Sequence, residues 1–140
     1  MKKLIITITI LVFGLITFTN GAIAQDEEYV FRNDIRPEYN KNITVTELNA
    51  LQSKENITLI DVRLLEDFAL DPTLIPDAKY KDPEKITNWS LDLPKDKKVV
   101  LYCVKGAWVS HKAATYLNDK GYDVVTLEGG IRAWKKDSSK

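Results

Sequence analysis

The chain has 140 residues, of which 44% are hydrophobic, so it has room for one domain with an adequate core. Its 20 lysines and arginines balance its 20 aspartates and glutamates, which excludes the strong positive charge of typical nucleic-acid-binding proteins. We therefore expect no nucleic-acid partner. One cysteine, one histidine and no cluster of metal ligands at suitable spacing lead us to expect no metal and no other cofactor.

The first 24 residues have the layout of a secretory signal peptide. A basic start is followed by an apolar stretch over residues 4–18 and by Ala22-Ile23-Ala24, a small-x-small cleavage sequence. The apolar stretch is short for a membrane span and is interrupted by Gly14, which favours cleavage near Ala24 over an uncleaved anchor. We therefore expect export, either to the periplasm or out of the cell.

The composition divides the chain into four segments. They are the signal peptide 1–24, an N-terminal extension 25–42, a compact domain 43–136 and a C-terminal tail 137–140. The extension is polar and has no sustained periodicity, so it either folds back onto the domain or stays flexible. Its candidates for docking are Tyr29, Val30 and Phe31.

The first half of the domain predicts a helix, a buried strand and then mostly loop. Thr46 is a candidate N-cap for a short helix that ends by Asn56. Residues 57–62 are β-branched and apolar, which predicts a buried strand, and residues 64–70 predict one or two helical turns. Prolines punctuate residues 71–93, which we expect to form loops with short helical pieces.

The second half alternates strands and helices. We expect a strand at 98–102, a helix from the N-cap Ser110 to Lys120, a strand at 123–127 and a closing helix at 131–135. Strands separated by helices indicate an α/β domain with a mainly parallel sheet.

Ligands of such sheets bind beyond the carboxyl ends of the strands. Asp61, Cys103 and Glu128 all fall at predicted strand ends, so they are expected to line one rim. Cys103 also precedes a helix, where converging backbone N–H groups and the helix dipole favour a thiolate nucleophile. The alternative is that Cys103 is a small buried hydrophobe. Because exported domains usually carry paired cysteines, a lone thiol that is kept favours the functional interpretation.

Four short segments of the chain follow one another in a recognisable order and spacing. They are Ile60-Asp61-Val62-Arg63 with Glu66 and Phe68, Ile75-Pro76-Asp77-Ala78, Tyr102-Cys103 with Gly106 and Ala113-Ala114, and Leu127-Glu128-Gly129-Gly130-Ile131 with Ala133-Trp134. Together these segments resemble the rhodanese family of sulfurtransferases. The resemblance implies a rhodanese-like three-layer α/β fold, with a mainly parallel central sheet flanked by helices.

The loop that follows Cys103 departs from the family pattern. Common single-domain members read C-x-x-G-x-R-S, whereas this chain has Trp108 at the usual Arg and reaches Ala113-Ala114 one residue later. Longer loops in this fold occur in phosphatases and arsenate reductases, where a C-x5-R arrangement cradles an oxyanion. Such an arrangement would need Arg at position 109, and Val109 disfavours it.

The resemblance implies a persulfide mechanism. The Cys103 thiolate would take the outer sulfur of a small sulfur-containing anion such as thiosulfate, and a thiol, cyanide or protein acceptor would remove it. Backbone N–H groups of the loop would stabilise the anionic persulfide. The implied substrate-binding residues are Val104, Lys105, Gly106, Ala107, Trp108, Val109 and Ser110.

The side chains around the loop leave alternatives open. Lys105 is either a cation for the donor or a solvated loop lysine, and Trp108 either walls an apolar donor site or caps the loop. Ser110 is expected to cap the helix rather than to act in catalysis, while His111 is expected to face solvent rather than to act as a base. Asp61 and Arg63 are expected to form a structural pair that supports the site.

Two functional hypotheses follow from these observations. The first is an exported sulfurtransferase, which the intact cysteine favours. The second is a catalytically silent rhodanese-like module that binds a partner or senses a small anion, which the altered loop favours.

Overall fold

A computed structural model of the protein describes residues 28–54 and 56–140. The predicted signal peptide lies outside the described residues, and its cleavage stays a prediction. None of the helices in the described part of the chain is long and apolar enough to span a lipid bilayer.

The centre of the fold is a sheet of five parallel strands. In chain order the strands are β1 (Asn42–Ile43), β2 (Thr58–Asp61), β3 (Lys79–Tyr80), β4 (Val99–Tyr102) and β5 (Val124–Leu127). Their order across the sheet is β1-β5-β4-β2-β3, and each neighbouring pair is parallel. The three central strands match the predicted ones, whereas two-residue edge strands carry too little pattern for a sequence to reveal them.

Helices cover both faces of this sheet. They are α1 (Val45–Lys54), α2 (Leu65–Leu70), α3 (Ile86–Trp89), α4 (Trp108–Asp119) and α5 (Gly130–Ser138). Side chains alternate along β4, so Val99 and Leu101 pack in the cluster that contains α4, while Val100 and Tyr102 pack against α1 and α5. The predicted three-layer α/β fold is confirmed.

The N-cap of helix α1 lies two residues before the expected one. The Thr44 hydroxyl accepts a hydrogen bond from the backbone N–H of Glu47 at 3.2 Å, and the Glu47 carboxylate accepts one from the Thr44 N–H at 2.7 Å. This reciprocal pair is a capping box. Thr46 as the N-cap is therefore wrong, because Thr46 lies inside the first turn of the helix.

The helix after the cysteine loop also starts earlier than the sequence predicts. Helix α4 begins at Trp108, so Ser110 lies in its first turn and the prediction of Ser110 as the N-cap is wrong. The Ser110 hydroxyl donates instead to the carbonyl of Ala107 at 3.2 Å. Helix α5 extends beyond the predicted 131–135 at both ends.

The described part of the extension folds back onto the domain. Phe31 and Tyr39 are only 2% and 9% exposed, and the Tyr39 hydroxyl donates to the Val124 carbonyl at 2.6 Å. Tyr29 packs its ring on Tyr116 with 4.6 Å between the centroids. Of the three docking candidates only Val30 stays exposed, and Tyr39 is an anchor that the sequence did not reveal.

Candidate active site

Cys103 lies directly after β4, at the carboxyl edge of the sheet, and is 4% exposed. It borders a cavity of about 340 Å³, which is at the small end of ligand pockets. The cavity is lined by Arg63, Asp67, Cys103, Val104, Lys105, Ala107, Trp108, Val109 and Arg132. Within residues 28–54 and 56–140, no group of three or more metal-ligand side chains lies close enough together to hold an ion.

The Cys103 sulfur lies beside the first turn of α4. Its Sγ atom is 3.3 Å from the hydroxyl oxygen of Ser110, which donates to the Ala107 carbonyl. The first N–H groups of a helix have no partner within the helix, and they form the positive end of its dipole. The Ser110 hydroxyl is close enough to the sulfur to form a hydrogen bond with it.

The floor of the cavity rests on glycine backbone. The Cys103 carbonyl accepts a hydrogen bond from the Ile131 N–H at 2.9 Å. A Cβ atom on Gly130, whose φ is +58°, would lie 2.4 Å from that carbonyl oxygen. One on Gly106, whose φ is +68°, would lie 2.6 Å from the Leu127 carbonyl oxygen. Only glycine combines this left-handed backbone with such a close approach.

Asp61 and Arg63 form a buried ion pair at the edge of the site, which we call the rim pair. The Arg63 Nη2 and Nε atoms lie 2.6 and 2.9 Å from Oδ2 of Asp61, and the side chains are 2% and 0% exposed. Arg63 also donates to the carbonyls of Asp71 and Thr73, each at 2.8 Å. The predicted pair of Asp61 and Arg63 is present in the structure, and Arg63 also lines the cavity.

Two tyrosines next to the rim pair stay protonated at neutral pH. Burial and the charge of Asp61 raise the pKa of Tyr102, whose hydroxyl accepts a hydrogen bond from the Ile75 N–H at 3.2 Å. Burial, followed by the charge of Asp82, raises the pKa of Tyr80 to about 12. Neither hydroxyl is therefore a general base at neutral pH.

The structure divides the predicted loop residues into two groups. Five of them line the cavity: Val104, Lys105, Ala107, Trp108 and Val109. Gly106 packs under the loop and Ser110 lies beside the sulfur, so both act from behind the cavity surface. Glu128 is exposed and does not line the cavity, although it follows β5 as expected. His111 does not line the cavity either, and burial lowers its pKa.

Two charged cavity residues were not predicted. Asp67 lies on α2, and Arg132 lies on α5, where its backbone N–H donates to the Val104 carbonyl at 3.2 Å. Within the described part of the chain, neither side chain forms an ion pair, and the same is true of Lys105. Asp67 and Arg132 both follow the carboxyl end of a strand closely, so the rule that points to Cys103 could have pointed to them.

Comparison with known proteins agrees with this geometry. The Rhodanese-like domain family matches residues 44–137. A sulfurtransferase of Allochromatium vinosum is 38% identical over 87 residues, which cover 61% of this chain and 78% of that protein. A thiosulfate sulfurtransferase of Pseudoalteromonas translucida is 26% identical over 96 residues, which cover 68% and 89%.

Solved structures lead to the same family. A rhodanese-like domain protein from Staphylococcus aureus superimposes with a TM-score of 0.60 at 31% identity, covering 68% of this chain and 91% of that chain. The described part of the extension, residues 28–42, precedes the matched residues. The resemblance inferred from the four motifs is confirmed, and the chain belongs to the rhodanese-like domain family, among relatives that are named sulfurtransferases.

Proposed function

We propose that this protein transfers a sulfane sulfur from thiosulfate or a related small anion to an acceptor through a persulfide on Cys103. The observation that carries the proposal is the position of the Cys103 sulfur, at a cavity and 3.3 Å from a hydroxyl in the first turn of α4. Lys105 and Arg132 line the same cavity and carry the charge that attracts an anionic donor.

In the first step, the Cys103 thiolate attacks the outer sulfur of the donor. A bond forms between Sγ and that sulfur, the sulfur–sulfur bond of thiosulfate breaks, and sulfite leaves with the bonding electron pair. The products are the anionic persulfide and sulfite, so no outside oxidant or reductant takes part. The helix amino end and the Ser110 hydroxyl stabilise the negative charge that moves to the transferred sulfur.

In the second step, an acceptor attacks the outer sulfur of the persulfide. Cyanide gives thiocyanate, while a small thiol or a protein thiolate gives a new persulfide; in each case the Cys103 thiolate is regenerated. The donor product leaves before the acceptor reacts, so the cycle follows a ping-pong scheme.

Steady-state kinetics with thiosulfate and cyanide test this cycle. We expect thiocyanate to form with parallel double-reciprocal lines, and Cys103→Ser to abolish its formation. A folded protein that forms no thiocyanate or thiol persulfide would instead support a silent binding module. Ser110→Ala keeps the sulfur but removes the nearby hydroxyl, and we expect it to slow the first step by about ten- to a hundred-fold.

We also propose that the protein acts after export. The support is the signal-peptide layout of residues 1–24. Fractionation of expressing cells, followed by sequencing of the recovered amino terminus, tests this proposal. We expect exported protein that begins at Gln25, and uncleaved protein kept in the cytoplasm would contradict it.

A further inference from the structure

Trp108, the aromatic residue in the wall of the cavity, packs against a segment that precedes the residues matched by the family. Trp108 lines the cavity, and its ring lies 6.0 Å from that of Phe31, centroid to centroid. The guanidinium carbon of Arg36 lies 4.0 Å from the centroid of the same ring. Neither Phe31 nor Arg36 lines the cavity, so both hold Trp108 from the side of the extension. We call residues 29–36 the Trp108 support.

The Trp108 support is fastened to the domain at several points. Lys112 of α4 is 4% exposed and donates to the Ile35 carbonyl at 2.9 Å and to the Asn33 side chain. Arg32 donates to the carboxylate of Glu66 at 2.8 Å and also pairs with Glu84. These bonds tie the support both to α4 and to α2, which carry Trp108 and Asp67 on the cavity surface. The support therefore contacts two helices that line the cavity from outside the cavity.

The cavity is larger than a single small anion requires. Its volume of about 340 Å³ lies within the range of pockets that hold drug-sized ligands. Trp108, Val104, Ala107 and Val109 contribute carbon to the lining of this space. The positive charges of Lys105 and Arg132 outnumber the one negative charge, on Asp67. A ligand that satisfies both parts combines an anionic head with a flat apolar group.

We propose that the Trp108 support makes this site selective for sulfane donors that carry an aromatic group beside an anionic sulfonyl head. This inference rests on the proposed sulfur transfer and names the class of donor that the site prefers. The apolar group lies against the Trp108 ring, the sulfonyl head lies toward Lys105 and Arg132, and the outer sulfur lies toward Cys103. Arg36 acts as a positioning residue, because it orients Trp108 without touching the donor.

The chemistry with such a donor balances without a co-reactant. The Cys103 thiolate attacks the outer sulfur of benzenethiosulfonate, the sulfur–sulfur bond breaks, and benzenesulfinate leaves with the electron pair. The total charge of −2 is kept, and the transferred sulfur keeps its oxidation state.

Three donors that share a terminal sulfur test the preference: thiosulfate, methanethiosulfonate and benzenethiosulfonate. Single-turnover persulfide formation on the full chain gives the rate ratio of the benzene to the methane donor. Comparison with Trp108→Leu removes differences in intrinsic reactivity, because both proteins meet the same donors. We expect the ratio to be about ten-fold higher for the wild type than for Trp108→Leu, because the free energy of a good aromatic contact corresponds to about a ten-fold change in rate.

Variants of the support separate positioning from general stability. Arg36→Ala should lower the donor ratio about two- to five-fold, by raising the concentration of benzene donor that gives half-maximal loading rather than by lowering the maximal loading rate. Arg36→Lys should recover part of the ratio. Lys95→Ala is the matched control. It removes a cation 5.1 Å from the Tyr122 ring, away from the cavity, and should leave the ratio unchanged.

Two results overturn the inference, and they are distinct from failure of the transfer reaction. If all donors load sulfur but wild type and Trp108→Leu give equal ratios, the preference is wrong and the transfer stands. If no donor loads sulfur, the transfer is wrong, and binding then tests the preference. For this test, benzenesulfonate and methanesulfonate are titrated into Cys103→Ser while the Trp108 indole signal is followed by NMR. We expect about ten-fold tighter binding of the aromatic ion, and equal binding overturns the inference.

Discussion

The floor and the wall of the cavity are built by different means. The floor is the loop from Cys103 to Ala107, which rests on the Gly129-Gly130 turn through backbone contacts within the family match. The wall is Trp108, which is held by side chains of Phe31 and Arg36 from outside that match.

This difference separates the reaction from the choice of substrate. Backbone contacts hold Cys103 in place, so we expect the proposed sulfur transfer to depend on Gly106, Gly130 and the amino end of α4. Side-chain contacts fix the wall, so a change in the extension alters what the cavity accepts and leaves the sulfur in place. Variants that break one region and spare the other test this separation.

The largest effect is expected at the rim pair beside the floor. Asp61→Asn keeps the shape of the side chain but leaves Arg63 buried without its counter-charge. We expect the free energy of unfolding to fall by about 3–5 kcal/mol, a large share of the stability of a small domain. Urea denaturation measures this loss.

A second variant checks the cause of that loss. Asp61→Asn combined with Arg63→Met replaces the pair by groups without charge, and we expect it to recover most of the lost stability. A loss below about 1 kcal/mol in the single variant would contradict a buried, mutually dependent pair.

The next largest loss of stability is expected from a substitution in the turn on which the floor rests. Gly130→Ala forces a Cβ atom to within 2.4 Å of the Cys103 carbonyl oxygen in a left-handed backbone. Steric strain and the unfavourable φ together should cost about 2–4 kcal/mol. Gly121→Ala is the control, because its φ is +89° but its Cβ would meet only the Lys95 Nζ atom at 3.8 Å. Equal losses of unfolding free energy in the two variants would show that close packing at the floor contributes nothing.

A smaller effect is expected where the Trp108 support is fastened. Lys112→Met removes the donor that binds Ile35 and Asn33, and hydrogen bonds of a charged donor contribute about 1.5–3 kcal/mol. We expect faster amide hydrogen exchange over residues 31–36 while the central strands stay protected. Lys105→Met is the control, since Lys105 is exposed, and unchanged exchange in Lys112→Met would contradict the proposed fastening.

The smallest effect concerns pH. His111 lies on α4 between Ser110, which contacts the Cys103 sulfur, and Lys112, which binds the Trp108 support. Burial lowers the pKa of His111, an effect that the charge of Glu38 partly opposes. The unfolded chain therefore takes up the proton first, so stability is complete above pH 6.5 and decreases as the pH falls below that value. When thermal unfolding is measured from pH 7.5 to 5.5, Tm should fall more steeply for the wild type than for His111→Gln. Identical slopes would indicate that His111 titrates as it does in water.

The sequence predicted the centre of the fold well because its central strands are continuous apolar runs. Residues 57–62, 98–102 and 123–127 each contain the strand that the structure has. The edge strands β1 and β3 were not predicted, because their extended conformation depends on pairing with β5 and β2 and not on the pattern of their own residues. The predicted helix starts were wrong because the choice of N-cap depends on local geometry. Helix α1 is capped by Thr44 instead of Thr46, and helix α4 by Ala107 instead of Ser110.

The site was predicted in part for a comparable reason. Cys103 and the rim pair lie at or just after strand ends and belong to the quoted motifs, so the sequence revealed them. Asp67 and Arg132 lie in the first turns of the helices that follow β2 and β5, in segments whose polar residues are typical of an exposed surface. The support of Trp108 by Arg36 joins residues 72 positions apart, and no local pattern records such a contact.

The most direct test of the central claim is the intact mass of the purified protein after treatment with thiosulfate, beside Cys103→Ser. We predict that the wild type gains the mass of one sulfur atom, that cyanide removes it, and that the variant gains none. A folded wild type that keeps Cys103 reduced and gains no sulfur from thiosulfate or polysulfide would contradict the persulfide mechanism.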